Sequence, residues 1–309
     1  MMIVVVGKEN PALVEAAGEQ ELVFLDGWEE VAPGVVESME AVIGRVPAEV
    51  LTRAPKLRWV HSPAAGVDAD LSPQMLASDV VLTSSAGNGA IPLAEHAMLL
   101  LLMLNRDVPR WMRAQAEHRW DRFTHGELAG QTLGIYGLGN AGMDLARKAQ
   151  AFHLRVVGVR RRPELPSPYV DQVYGEDGLD ALLAESDFVV VTAPSTPATS
   201  GRFGRDAFAR MKPTAYFVCI SRGGIADDGA LLAALRDGQI AGAGLDAHGV
   251  EPLPPNSPFW DLPNVIVTPH NGATSTATAR RGEQIVGQNL RRFRSGQELL
   301  NVVDKSAGY

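Results

Sequence analysis

The chain has 309 residues and a net charge of −8 at pH 7; 46% of its residues are hydrophobic and 21% are charged. These proportions are typical of a globular protein and exclude a disordered or fibrous chain. The acidic excess argues against broad binding to nucleic acid or to an anionic membrane, so we expect neither as a partner. The length favours two domains with a ligand-binding cleft between them over a single core.

The cysteine count and two apolar runs indicate the compartment. Cys219 is the only cysteine, which excludes an internal disulfide and predicts a cytoplasmic protein. The apolar run Met1–Gly7 lacks a basic leader and is too short for a signal-peptide core, so we predict a first buried strand. The run Ala97–Leu104 is well short of the ~20 apolar residues of a membrane span, and we predict a helix that is buried on all sides.

Short β-branched runs alternate with helical stretches along the chain, which is typical of parallel sheets covered by helices. A helix opened by Pro92 is predicted to carry the apolar run through Leu104 and to connect two such groups. A long helix over 274–294 and an apolar tail over 299–303 follow the second group. The predicted strands are 3–6, 41–43, 57–61 and 80–83 in the first group, and 133–136, 155–159, 188–192, 215–220, 243–246 and 265–268 in the second.

The stretch from Asn105 to Glu127 contains Trp111, Trp120, five arginines and two histidines. It shows little sheet signal and no compact helix pattern. One interpretation is an arm that reaches a neighbouring subunit, and the other is a solvated helix and loop. Charge alone does not separate the two.

A glycine-rich turn follows the predicted strand 133–136 directly. It runs Gly137-Leu138-Gly139-Asn140-Ala141-Gly142, and a helix-permissive stretch comes next. The first glycine permits a tight turn, the second lets the backbone approach a pyrophosphate, and the third allows close packing of helix on strand. Glycine-rich turns are common, but the strand before this one and the helix after it favour a dinucleotide-binding loop.

Arginines stand where an NAD-binding unit usually has an acidic residue. Arg160 lies eighteen residues beyond Gly142 and is followed by Arg161 and Arg162. Arginine at this place accommodates a 2′-phosphate, so we predict that NADP(H) is preferred and that NAD(H) is possible. The alternative is a solvated basic turn.

Three later segments each end a predicted strand with polar residues, at the carboxyl ends where α/β active sites lie. They are Cys219-Ile220-Ser221-Arg222-Gly223-Gly224, Gly244-Leu245-Asp246 through Glu251-Pro252-Leu253-Pro254, and Thr268-Pro269-His270-Asn271-Gly272. With the glycine loop upstream, the sequence resembles the D-isomer-specific 2-hydroxyacid dehydrogenase family, which includes glyoxylate/hydroxypyruvate reductases. The resemblance covers nearly the whole chain.

The chemistry of a 2-keto acid reductase agrees with three of these residues. Arg222 would bind the substrate carboxylate and polarise the keto oxygen with its planar fork. His270 would donate the proton, since histidine ordinarily titrates near working pH. Glu251 would hydrogen-bond His270 and orient it. Taken singly, each could instead be a surface ion pair, a solvated loop residue or a structural histidine.

The resemblance also implies binding residues. Asp246 would lie near the nicotinamide amide, Gly272 would flank the ring, and the loop from His61 to Asp68 matches the family's substrate loop, although an ordinary glycine turn is the alternative. The segment Ser84–Gly89 departs from the family pattern, which leaves contacts there undefined. Further cofactor-binding positions are Ala193, Pro194, Thr199, Ile220 and Ser221, and the amides of Ala65, Gly66 and Val67 would take the substrate carboxylate.

These observations predict an α/β protein with two doubly wound Rossmann-like parallel-sheet domains. Residues 1–92 and 274–309 form a discontinuous substrate-binding domain, and residues 93–273 form the dinucleotide-binding domain. The predicted function is reduction of a small 2-keto acid by NADPH; a homodimer is expected from the resemblance alone, and no metal site is predicted. A cofactor-sensing protein with little turnover, like co-repressors of this fold, is the main alternative. An L-lactate type of dehydrogenase is disfavoured because its nucleotide loop lies near the N-terminus.

Overall fold

The computed structural model of the protein describes residues 1–29 and 31–309, and these divide into two units. Unit 1 comprises Met1–Asn88 and Ser275–Tyr309, and unit 2 comprises Gly89–Thr274. Unit 1 has a five-stranded sheet and unit 2 a seven-stranded sheet. The strands of both sheets pair in parallel, which confirms the predicted fold class.

The strands and helices are numbered in chain order. The strands are β1 Met2–Val6, β2 Glu21–Leu25, β3 Met39–Ile43, β4 Trp59–Ser62, β5 Val81–Ser84, β6 Thr132–Tyr136, β7 Arg155–Val159, β8 Gln172–Tyr174, β9 Phe188–Val191, β10 Tyr216–Cys219, β11 Gly242–Leu245 and β12 Val265–Val267. The helices are α1 Pro11–Ala17, α2 Val35–Ser38, α3 Ala48–Leu51, α4 Pro73–Ala77, α5 Ala90–Asn105, α6 Val108–Ala116, α7 Asn140–Ala151, α8 Leu179–Glu185, α9 Arg205–Arg210, α10 Asp228–Arg236 and α11 Thr276–Arg294.

Unit 1 is built on the strand order β2-β1-β3-β4-β5. The β-branched run of β1 is buried on both faces, as expected for an inner strand of a parallel sheet. The chain returns to this unit with α11, whose first turn is capped by the Ser275 side chain accepting from the Thr278 amide. Val303 in the C-terminal tail is buried, and the tail bridges β5 through Thr83 and Val302. Unit 1 therefore takes its core from both ends of the chain.

Unit 2 has the strand order β12-β11-β10-β9-β6-β7-β8. Because its strands are parallel, their carboxyl ends lie at one edge of the sheet. The loops that follow β6, β9, β10, β11 and β12 therefore come together there. These loops contain the glycine-rich turn and the polar residues singled out in the sequence.

Two strands escaped prediction, and both lie at sheet edges. β2 and β8 are end strands, and their side chains are only partly buried. β2 nevertheless carries the apolar run Leu22-Val23-Phe24-Leu25 after Glu21, so its signal was present in the sequence and was overlooked. β8 is only three residues long, which leaves almost no pattern to detect.

The structure bears on two helix predictions, and that for α5 needs correction. α6 forms within the segment 105–127, where no compact helix pattern was identified but a solvated helix and loop was one of the two interpretations; Ala114 is the one buried residue of α6. α5 is not buried on all sides, because Ile91 and Leu99 are 42% and 49% exposed on the side that also carries Glu95. Within the described ranges, no helix combines the length and the apolar character needed to cross a membrane.

Candidate active site

Three neighbouring strands of unit 2 deliver the predicted catalytic residues. β10, β11 and β12 pair side by side. Arg222 follows β10, Glu251 lies in the loop after β11, and His270 lies in the loop after β12. A close approach joins two of these loops, because a Cβ at Gly223 would lie 1.9 Å from the carbonyl carbon of His248. Only glycine permits this contact.

Glu251 and His270 form a direct pair. Nδ1 of His270 lies 2.9 Å from Oε1 and 2.8 Å from Oε2 of Glu251. A carboxylate only accepts hydrogen bonds, so Nδ1 carries the proton. Nε2 of the ring takes no part in the pairing, and about a third of the His270 side chain is exposed. The arrangement fixes the tautomer and presents Nε2 for proton exchange.

The Glu251 carboxylate is itself held by its own loop. Its Oε1 accepts a hydrogen bond from the His248 amide at 2.9 Å. The His248 ring is also engaged, since its Nε2 lies 3.0 Å from the carbonyl oxygen of Thr268. The loops after β11 and β12 are therefore joined by this side-chain-to-backbone contact as well as by the Glu251–His270 pair.

Asp246, at the end of β11, organises the loop that carries His270. The residue is fully buried. Its Oδ1 accepts from the Thr268 hydroxyl at 2.7 Å and from the Asn271 amide at 3.1 Å, and its Oδ2 accepts from the Gly272 amide at 2.9 Å. Burial acts to raise the pKa of this carboxyl, but hydrogen bonds from His96, Thr268 and Gly272 outweigh it and hold the pKa well below its usual range.

His96 and His248 were missed as members of this site by sequence reasoning. His96 lies on α5, and its Nε2 is 3.0 Å from Oγ1 of Thr268 and 3.4 Å from Oδ1 of Asp246. It directly precedes the apolar run Ala97–Leu104. A histidine among apolar helix residues is a weak signal, because nothing local indicates its partner in the distant β12 loop.

Arg222 lies between β10 and a short 3-10 turn, Gly223–Ile225. The side chain is partly buried, and its Nη1 donates to the carbonyl oxygen of Ser221 at 2.9 Å. The Arg222 carbonyl lies 3.4 Å from Sγ of Cys219. The guanidinium is thus placed by the turn that Gly223 allows.

The glycine loop lies between β6 and α7, and its backbone geometry shows whether a dinucleotide fits there. Gly137 has a φ of +109°, and a Cβ at Gly142 would lie 2.1 Å from the carbonyl oxygen of Gly137. At Gly139, in contrast, no described residue other than its chain neighbours has an atom within 4 Å of a Cβ position. Gly139 is the N-cap of α7 and supplies no capping side chain, which leaves first-turn amides for an anion. The loop fits a pyrophosphate.

The other predicted cofactor residues lie around this loop, with differing exposure. Leu138 is buried and packs on Gly158, so its backbone alone is available to a ligand. Thr199 Oγ1 donates to the Pro194 carbonyl at 2.7 Å, which closes the turn after β9. Asn140 and Pro194 are exposed, Ala141 and Ser221 are partly buried, and Ala193, Ile220 and Gly272 are buried.

The arginine run lies directly beside the glycine loop. The Gly137 amide donates to the Val159 carbonyl at 2.9 Å, so Arg160 follows the residue that this loop contacts. Arg160 is partly buried and donates from Nη1 to Oγ of Ser167 at 3.2 Å, whereas Arg161 is exposed. A cationic side chain therefore directly follows the residue that the glycine loop contacts.

The predicted substrate loop of unit 1 follows β4. Ala65 is exposed, Gly66 is partly buried and Val67 is buried. Ser62 Oγ donates to Asp70 Oδ2 at 2.7 Å, and Arg45 Nη2 donates to the Ala69 carbonyl at 2.5 Å. These contacts fix both ends of the loop.

A buried histidine lies at the start of this loop. Nδ1 of His61 is 2.8 Å from Thr83 Oγ1, and Nε2 is 3.1 Å from Ser85 Oγ. Trp59 Nε1 donates to the same Thr83 oxygen at 2.8 Å. Burial lowers the pKa of His61 from 6.5 to about 4, because the uncompensated charged form is disfavoured away from water.

We expect His61 to make unit 1 less stable in acid. As the pH falls from 6.5 to 4, His61 becomes protonated in the unfolded chain but stays neutral in the folded protein. The free energy of unfolding therefore falls. The lowered pKa corresponds to a loss of about 3 kcal/mol at about 1.4 kcal/mol per pKa unit. Urea unfolding at several pH values should show a shallower pH dependence for His61→Gln. Equal slopes for the two proteins would contradict this.

Comparison with known proteins identifies relatives of this chain. The model of the NAD-binding domain of D-isomer specific 2-hydroxyacid dehydrogenases matches residues 98–272. A glyoxylate reductase of Korarchaeum cryptofilum is 34% identical over 91% of this chain and 90% of its own length. A D-3-phosphoglycerate dehydrogenase of Mycobacterium bovis is 32% identical over 99% of this chain; the match spans only 59% of that longer protein.

Solved structures share the whole fold. A D-isomer specific 2-hydroxyacid dehydrogenase of Xanthobacter autotrophicus Py2, in complex with NADPH and MES, is 32% identical with a TM-score of 0.89, and the match covers 100% of this chain and 99% of that one. An NADPH-dependent glyoxylate/hydroxypyruvate reductase of Sinorhizobium meliloti, in complex with NADP and sulfate, is 33% identical with a TM-score of 0.86 and the same coverage.

The parallel sheet and the glycine loop place the protein in the class of dinucleotide-binding α/β proteins. Within that class, the chain belongs to the D-isomer specific 2-hydroxyacid dehydrogenase family. The predicted family is confirmed, and so is the prediction of a nicotinamide dinucleotide as the cofactor class.

Proposed function

We propose that the protein is a 2-keto acid reductase that uses NADPH and yields a D-2-hydroxy acid. The observation that carries the proposal is the Glu251–His270 pair, held at the carboxyl end of the sheet beside the strand that delivers Arg222. The names of the Sinorhizobium and Korarchaeum relatives support a small substrate such as glyoxylate or hydroxypyruvate.

The proposed reaction adds a hydride and a proton across the keto C=O bond. A nicotinamide cofactor held at the glycine loop Gly137–Gly142 would supply the hydride. Arg222 binds the substrate carboxylate and polarises the keto oxygen, which gains negative charge as the C–H bond forms. His270 transfers a proton to that oxygen, and Glu251 stabilises and orients the ring as its charge changes. Oxidation of the alcohol reverses these roles.

The remaining proposals concern the roles of the two domains, the substrate contacts, Asp246 and the cellular location. Residues 93–273 would bind the dinucleotide and residues 1–92 with 274–309 the substrate, with the amides of Ala65, Gly66 and Val67 as carboxylate contacts. Asp246 has both carboxylate oxygens engaged by the His270 loop, so we assign it to support of that loop. The single cysteine supports a cytoplasmic location.

A preference for NADP(H) is proposed from Arg160. This side chain stands beside the glycine loop where a carboxylate would bind the ribose hydroxyls of NAD. We expect Arg160→Asp to lower the ratio of kcat/KM for NADPH to that for NADH by on the order of 10²-fold, because the 2′-phosphate loses a charge-assisted partner. The same charge change at exposed Arg162 serves as the control. An unchanged ratio in Arg160→Asp would refute the preference.

A homodimer is proposed from the surface of α5 and the segment after it. Leu99, Met112 and Trp120 are 49%, 59% and 91% exposed. The segment is nevertheless ordered, since Arg110 pairs with Asp121 at 2.7 Å and lies over the Phe123 ring at 4.1 Å. Large exposed apolar side chains on an ordered surface are typical of an interface. Sedimentation equilibrium should give twice the chain mass of 33.1 kDa.

The function is tested by a substrate panel. Glyoxylate, hydroxypyruvate and pyruvate are each mixed with the protein and NADPH or NADH, and oxidation of the cofactor is followed by absorbance. We expect sustained oxidation of the cofactor with at least one of the three acids. A protein that binds NADPH in calorimetry but consumes it negligibly would be the cofactor-sensing alternative.

A further inference from the structure

We propose that His96 is a positioning residue for the reaction: it holds the loop from Thr268 to Gly272 so that His270 meets Glu251. The inference rests on the proposed function, because it gives His96 a role toward a proton-donating His270. His96 lies on α5, and the loop it contacts lies 172 residues further along the chain.

The hydrogen-bond directions around Thr268 follow from the groups present. The Asp246 carboxylate only accepts hydrogen bonds, so the Thr268 hydroxyl donates its one proton to Oδ1 of Asp246 at 2.7 Å. Oγ1 of Thr268 must therefore accept from His96, whose Nε2 lies 3.0 Å away. His96 thus carries a proton on Nε2. His96 is therefore connected to Asp246 through Thr268, and its Nε2 also lies 3.4 Å from Oδ1 of Asp246 itself.

The same ring limits the loop sterically. A Cβ at Gly272 would lie 2.8 Å from Oδ2 of Asp246 and 3.0 Å from Cδ2 of His96. The His96 side chain is itself only 13% exposed. Gly272 is therefore enclosed by Asp246 and the His96 ring, and Thr268 at the other end is bonded to the same two residues.

His270 lies midway between these two anchored residues. Its backbone has a φ of +51°, a left-handed conformation that is uncommon outside glycine and persists where the surroundings enforce it. The Asn271 and Gly272 amides point at Asp246, which fixes the peptide after His270. Without the His96 donor, the Thr268 side chain is still held by Asp246, but the loop loses one anchor.

Activity measurements separate positioning from a purely structural role. We expect His96→Leu to lower kcat for keto acid reduction by on the order of 10–10²-fold, because a small misplacement of a catalytic group has effects of this size. The dissociation constant for NADPH, measured by calorimetry, should stay near the wild-type value. His96→Gln should restore most of kcat, since its side-chain amide donates at the place of Nε2. Thr268→Val, which removes the receiving hydroxyl, should reproduce the loss.

A spectroscopic readout makes the test independent of turnover. Long-range ¹H–¹⁵N spectra of histidine-labelled protein report the tautomer of each ring, and the His270 signals are assigned by their absence in His270→Gln. The wild type and His96→Gln should show His270 with a hydrogen-bonded proton on Nδ1. In His96→Leu and Thr268→Val that signal should shift or broaden. Glu95→Gln, on the exposed side of the same helix, is the control, and circular dichroism establishes that each variant is folded.

Each outcome has a defined meaning. Wild-type kcat and unchanged His270 signals in a folded His96→Leu overturn the proposal. A loss of kcat that His96→Gln does not restore, or that appears with unchanged His270 signals, also overturns it. If His96→Leu does not fold, Thr268→Val takes its place, and wild-type kcat with unchanged His270 signals in a folded Thr268→Val then overturns the proposal. If the wild type reduces no keto acid, the proposed function fails, while the spectra still decide whether His96 positions His270.

Discussion

Replacing His270 with alanine is expected to lower kcat for 2-keto acid reduction by about 10²–10⁴-fold, the usual contribution of general acid catalysis. The ring is the proton donor in the proposed reaction, and its Nδ1 is fixed on Glu251 at 2.8–2.9 Å. Alanine removes the donor and leaves the glycine loop untouched. The dissociation constant for NADPH, measured by calorimetry, should therefore change far less than kcat.

The matched control for this variant is His153→Ala. His153 is another exposed histidine with a positive φ, +58°, and it lies after α7, away from the strand ends that carry the site. It should keep wild-type kcat. Near-normal turnover in His270→Ala would show that the proton comes from elsewhere and would refute the assigned role of His270.

Replacing Asp246 with asparagine should damage both activity and stability. The carboxylate accepts from Thr268, Asn271 and Gly272, and an amide group would turn a donor toward at least one of these donors. We expect the free energy of unfolding to fall by about 3 kcal/mol, since the hydrogen bonds lost are buried and charge-assisted. We also expect kcat to fall by on the order of 10²-fold as the His270 loop shifts.

The control for this change is Asp261→Asn, an exposed aspartate in the turn before β12. It should alter neither quantity appreciably. Urea unfolding and steady-state kinetics on the two variants check both parts of the prediction. An Asp246→Asn protein with wild-type stability would mean that the loop does not depend on this carboxylate.

The sequence was informative wherever a feature is local. The inner strands are continuous apolar runs, and the glycine loop, Arg222, Glu251 and His270 each follow a strand within a few residues. Because the carboxyl ends of parallel strands lie on the same side of the sheet, the sequence alone predicted that the side chains following these strands lie close together. The contact expected between Glu251 and His270 is present in the structure.

The features that escaped prediction depend on distant partners or on partial burial. The role of His96 depends on Thr268 and Asp246, and no pattern near residue 96 encodes that contact. β8 is a three-residue edge strand and α6 buries only Ala114. β2 is only partly buried, although its run Leu22–Leu25 is apolar. The exposed side of α5 was missed because its exposed residues include apolar Ile91 and Leu99, which composition alone assigns to a core.

The most direct test of the proposed function is the product of a single turnover. Enzyme is mixed with one equivalent of NADPH and excess hydroxypyruvate, and the glycerate formed is separated on a chiral column. The proposed reaction predicts one D-glycerate for each NADPH oxidised in the wild type and almost none on the same timescale in His270→Ala. Bound but unoxidised NADPH with every 2-keto acid of the panel, or an L-configured product, would contradict it.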